Sequence, residues 1–103
     1  MEKPKNKEDA WMNHDTEAFF GAILLLKHVD EAKKFFRDLL TEKEIKEFGQ
    51  RWKVARMLAE GTIYTAIERE TGMSSTTIAR VHKWLKKGKG GYRLVLERLK
   101  KSR

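Results

Sequence analysis

The stretch Tyr64–Lys83, YTAIERETGMSSTTIARVHK, restricts this chain more than any other. Ala66 and Ile67 have the spacing of the inner side of one short helix, and Ile78 and Val81 that of a second. Between them, Gly72 can take the left-handed conformation that ends a helix, and Ser74 can cap the next one, because its hydroxyl accepts from a free first-turn amide. The spacing predicts a helix over 63–70, a turn over 71–74 and a second helix from Ser75 to about Lys87, which is a helix-turn-helix. The second helix opens with Ser75, Thr76 and Thr77, small polar side chains that can approach base edges and phosphates. Arg80 and Lys83 follow one to two turns on.

Two helices around a glycine turn bind nothing by themselves, and many all-α proteins contain such a pair. Charge supplies the second constraint. From Thr71 to Leu96 there are six basic residues (Arg80, Lys83, Lys86, Lys87, Lys89, Arg93) and no Asp or Glu, although the chain has 15 acids. A merely solvated face would mix the signs. The net charge of +8 arises in the C-terminal part, where residues 61–103 carry eleven basic and three acidic side chains, against seven and eight in the first forty. One-signed charge on a helix-turn-helix points to double-stranded DNA as partner. Ser75, Thr76, Thr77, Arg80 and Lys83 are then candidates for base edges and nearby backbone, and Lys86, Lys87 and Lys89 for phosphates.

The rest of the chain reads as helix throughout, so the fold class is all-α. Residues 1–12 read as a flexible arm, and 13–101 as a single domain. A first helix from about Asp15 to Val29 carries Phe19, Phe20, Ala22, Ile23, Leu24, Leu25, Leu26 and Val29 around nearly its whole circumference. A chain of 103 residues has too little material to surround such a helix, so a second subunit is expected to cover it. A second helix, with Asp30 as N-cap, turns Ala32, Phe35, Phe36, Leu39 and Leu40 to one side. The third opens with Thr41 as cap and Glu44 three residues on, places Ile45, Phe48, Trp52, Ala55 and Leu58 at core spacing, and closes at Gly61. Gly88–Gly91 breaks the chain before a last helix over 92–100.

Several chemistries are excluded or unsupported. There is no cysteine, hence no disulfide and no thiolate metal site. His14, His28 and His82 lie on three elements without metal-ligand spacing, and His82 is expected on a helix surface. No nucleophile motif is present, so neither an enzyme nor a cofactor is expected. The longest apolar run, Ala22–Leu26, is far short of a membrane span, and a soluble cytoplasmic protein is expected. RNA binding would need an exposed aromatic platform, for which only Tyr64 and Tyr92 are available.

The segments LLTEKEIKEFGQRWKVARMLAEG, AIERETGMSSTTIARVHKWLK and GGYRLVLERL resemble the tryptophan repressor superfamily, and within it the branch of small Trp-repressor-like proteins. The resemblance implies six helices in an intertwined homodimer, with one recognition helix per subunit in the major groove. It also implies a corepressor pocket, in which Thr41, Arg51 and Arg80 match the threonine and two arginines that hold tryptophan in the best known members. Where those members keep a glycine and a serine on the fifth helix, this chain has Val81 and Trp84, and the Trp84 ring could fill the cavity. The expectation is therefore a repressor-like dimer without L-tryptophan as effector. The alternatives are a protein-interaction module resembling the helix-turn-helix region of sigma factors, and a tryptophan-responsive aporepressor.

Overall fold

The computed structural model describes residues 10–102. In chain order these form α1 (His14–Ile23), α2 (Val29–Leu39), α3 (Glu42–Ala59), α4 (Tyr64–Thr71), α5 (Ser75–Lys87) and α6 (Gly91–Lys101), with no strand among the described residues. They divide into two compact units, one ending at Thr41 and the other beginning at Glu42.

In the N-terminal unit, α1 starts on a reciprocal cap. The Asn13 side chain accepts from the Thr16 amide at 2.9 Å, and the Thr16 hydroxyl accepts from the Asn13 amide at 2.8 Å. The helix stops at Ile23 rather than running to Val29. The amides of Leu25 and Leu26 bond instead to the carbonyls of Ala22 and Ile23, which tightens the chain into a turn. The N-cap of α2 is His28, not Asp30. The reason is Glu31, whose carboxylate accepts from the Lys27 amide at 2.9 Å and so fixes the start two residues earlier, leaving Asp30 inside the first turn near the positive end of the helix dipole.

The break lets the two helices meet. Phe19 stacks on Phe35 and meets Phe36 edge-on, both at 6.3 Å between ring centroids, while Trp11 lies edge-on to Phe20. Neither helix contains a buried residue. Leu24, Leu25 and Val29 remain 84%, 76% and 67% exposed.

The C-terminal unit is built on α3. Val54 and Ala55 of α3 meet Ile67 of α4 and Ile78 and Val81 of α5, and all five side chains are completely buried. Phe48, expected in this core, is half-exposed: it stands two turns before Ala55 on the same side of α3, and the buried part of that side begins only at Val54 and Ala55. Trp52 lies partly buried against the core and stacks on Tyr92 at 6.4 Å.

The turn between α4 and α5 follows its sequence chemistry. Gly72 has φ of +72° and bonds its amide to the Glu68 carbonyl at 2.8 Å. The buried Thr71 hydroxyl donates to the Ile67 carbonyl at 2.7 Å and accepts from the Met73 amide at 3.2 Å. Ser74 caps α5 by accepting from the Thr77 amide. At the other end of α5, a Cβ on Gly88 would run into the Trp84 carbonyl oxygen, so only glycine leaves room there. Arg93 of α6 reaches back, donating from Nε to the Leu85 carbonyl at 2.9 Å and from Nη2 to the Lys86 carbonyl. This arginine satisfies carbonyls that the end of α5 leaves open, and its charge sits at the negative end of the helix dipole.

Replacing Gly72 by Ala forces a Cβ into the left-handed region and is expected to cost about 1–2 kcal/mol. Urea unfolding followed by circular dichroism will show this as a lower midpoint with unchanged native helix content.

Candidate nucleic-acid interface

The α5 helix has three chemically different sides. Ile78 and Val81 face the core. Thr76, Ala79, Lys83, Lys86 and Lys87 follow three- and four-residue spacing on an exposed side, with Ser75 at its start. Lys89 lies in the exposed connection to α6. Ala79 was not singled out by the sequence reading, although its spacing from Thr76 and Lys83 places it on this stripe. Its methyl group leaves the middle of the helix open to close approach and suits contact with a thymine methyl.

Thr77 and Arg80 turn toward the third side. Thr77 is half-buried, and its hydroxyl accepts from the Ser74 hydroxyl at 3.1 Å, which ties it to the cap. Thr77, Arg80, Val81 and Trp84, at helical spacing, line a cavity of about 210 Å³ together with Glu47 and Arg51 of α3 and Met73 of the turn. Four of the five positions matched to the corepressor pocket thus come together. Thr41 belongs to the other compact unit. Val81 is wholly committed to the core, whereas Trp84 stays 43% exposed at the cavity wall. The Arg51 guanidinium lies over the Phe48 ring at 5.9 Å from its centroid.

His82 is not a surface residue. It is half-buried, with Nδ1 2.7 Å from the Tyr64 hydroxyl and the two rings edge-on. It stands four residues after Ile78, on the side of α5 that meets α4, and this long-range pair ties the two helices of the motif together. The same contact removes Tyr64 as a stacking platform, and Tyr92 is likewise occupied by Trp52. Among the described residues no cluster of His, Cys, Asp or Glu could hold a metal ion. No described helix is long and apolar enough to cross a membrane.

Comparison with known proteins agrees with this geometry. The family described as "Trp repressor protein" matches residues 14–100. The uncharacterized protein YerC of Bacillus subtilis (strain 168) is 43% identical over 94 residues, covering 91% of this chain and 90% of its own. Among solved structures, a candidate Trp repressor from Staphylococcus aureus superposes with a TM-score of 0.85 at 35% identity, over 93% of this chain and 96% of its own. A TrpR-like protein from Eubacterium eligens ATCC 27750 gives 0.83 at 44% identity, over 91% and 95%.

Tyr64→Phe removes the hydroxyl that joins α4 to α5 and is expected to lower stability by about 0.5–1.5 kcal/mol, the net worth of one hydrogen bond. Thermal unfolding of the two proteins side by side checks this; an unchanged midpoint would show that the contact contributes nothing.

Proposed function

The chain belongs to the Trp repressor family, whose members are regulatory DNA-binding proteins rather than enzymes, and from that premise we propose that it represses transcription as a homodimer that reads duplex DNA through α5. The observation that carries this reading is the exposed stripe of α5. Small side chains lie at its N-terminal half and lysines at its C-terminal half, on a helix whose opposite side is pinned by fully buried Ile78 and Val81. A helix held rigidly from behind presents its exposed residues at fixed spacing, which base readout requires.

Within this reading Ser75, Thr76, Ala79, Arg80 and Lys83 meet base edges and the adjacent backbone, while Lys86, Lys87 and Lys89 neutralise phosphates. Thr77 acts mainly through the cap and the cavity, since its hydroxyl is bonded to Ser74. Dimerisation is supported by the N-terminal unit, whose apolar side chains find no cover within it. A two-fold dimer would place two α5 helices on a palindrome with half-sites about one helical turn, ~34 Å, apart. Independence from L-tryptophan is supported by Val81 and Trp84, whose bulk stands where the tryptophan-binding members keep a glycine and a serine.

Three outcomes follow for binding isotherms on a duplex carrying the preferred site. Arg80→Ala should cost about 1–3 kcal/mol and relax preference at one base position. Lys87→Ala should weaken all sequences alike and reduce the slope of log K against log salt by about 0.9, the value for one lost phosphate contact. Addition of L-tryptophan should leave the isotherm unchanged, and tighter binding in its presence would return the cavity to a corepressor role. Altered base preference with an intact salt slope in Lys87→Ala would contradict the division of roles.

A further inference from the structure

Base reading by α5 is narrowed as much by the side chains it lacks as by those it has. From Thr71 to Lys87 there is no Asn, Gln, Asp or Glu. The bidentate contact to adenine and the acceptor contact to the cytosine amino group are therefore unavailable to this helix. Arg80, whose guanidinium fork suits guanine, lines the cavity beside Arg51. Thr77 is tied to Ser74, and His82 to Tyr64. Ahead of the phosphate lysines, the exposed stripe is left with Ser75, Thr76, Ala79 and Lys83.

Ala79 stands at the centre of that set, three residues after Thr76 and four before Lys83. Alanine is the best helix former, so its occurrence in α5 decides nothing by itself. Its position bears on function, because it is the one apolar residue of the stripe. A longer side chain there would hold the helix away from the groove floor, whereas a methyl group lets carbon atoms meet at about 4.0–4.5 Å. Thr76 adds a second methyl, on a Cβ about 5–6 Å away, as i,i+3 neighbours on a helix are. Successive base pairs rise by about 3.4 Å, so the two methyls span one to two steps. The apolar feature among base edges in the major groove is the C5-methyl group of thymine. Ala79 has no side-chain donor or acceptor, so it cannot distinguish the O4 acceptor of thymine from the N4 donor of cytosine. The Thr76 hydroxyl can donate or accept and suits both. A pyrimidine facing this pair is then identified by its methyl group alone.

We propose that α5 reads C5-methylated pyrimidines through the methyl groups of Thr76 and Ala79, accepting thymine or 5-methylcytosine and rejecting uracil and unmethylated cytosine. This rests on the DNA-binding reading and adds which chemistry in the groove the helix selects. It makes Ala79 a specificity-determining residue, and it makes cytosine methylation a signal that the protein registers.

The test uses the full chain and its preferred duplex, with each thymine of one half-site replaced in turn by deoxyuridine, which removes the methyl group and keeps the pairing. Binding is expected to weaken about fourfold at a sensitive position, the worth of one buried methyl-sized group, and to stay unchanged elsewhere. At that position cytosine paired with guanine should bind no better than uracil, and 5-methylcytosine should recover most of the loss. Ala79→Gly should erase the preference for thymine over uracil at one sensitive position, and Thr76→Ser, which keeps the hydroxyl, at its neighbour. Each preference is a ratio of two affinities of the same protein, so the lower helix propensity of glycine cancels. Uracil tolerated at every position of a selected palindrome would overturn the methyl reading while leaving DNA recognition by α5 intact. So would 5-methylcytosine binding as weakly as cytosine, or a thymine preference that both variants keep. Selection of no duplex at all would remove the DNA-binding reading and this proposal together.

Discussion

Five side chains hold the C-terminal half of this protein in place. Val54 and Ala55 on α3, Ile67 on α4 and Ile78 and Val81 on α5 are the completely buried residues of the described chain, and they meet where the three helices cross. Burying a valine or isoleucine side chain contributes about 1.5–3 kcal/mol, so each of the four larger ones is a large share of the margin by which a small domain is folded. The orientation of α5 depends directly on this cluster. Gly72 and Thr71 shape the turn that delivers α5, Ser74 caps its start, and Arg93 satisfies carbonyls at its end. The Tyr64–His82 contact adds a polar tie between the two helices of the motif. The exposed face of α5 is thus braced at both ends and along its back.

The N-terminal unit follows a different logic. Its aromatic cluster of Phe19, Phe35 and Phe36 brings α1 and α2 together, yet no residue of either helix is buried. Two short helices with one aromatic contact surface cannot offset their own conformational entropy. Their apolar surplus is consistent with an element that completes its packing on another molecule. Stability would then depend on protein concentration, because association and folding draw on the same buried area.

Local chemistry was legible in the sequence wherever a single residue carries it. Gly72 and Ser74 marked the turn, and α5 runs over the predicted Ser75–Lys87 because its cap and its terminating glycine are both local signals. The extent of α1 was not legible. Apolar content around the whole helix gives no periodicity from which to read an end, and the deciding contact is the Glu31 carboxylate on the Lys27 amide rather than the more conspicuous Asp30. His82 was misread, and Arg93 was given no role, for a related reason. Their partners lie eighteen and seven or eight residues away, across a turn or a loop, and neither spacing nor charge indicates such pairing. The cavity residues matched by resemblance were found together, except Thr41, whereas Ala79 on the exposed stripe was missed because a small side chain carries no charge or hydroxyl to draw notice.

The most direct measurement is selection of bound duplexes from a random library by the purified full chain at physiological salt. The account predicts enrichment of a single palindrome whose half-sites lie one helical turn apart, as two α5 helices related by a two-fold axis require. Salt-sensitive binding to every duplex without enrichment would contradict it, since the lysines of α5 would then act only as an electrostatic surface.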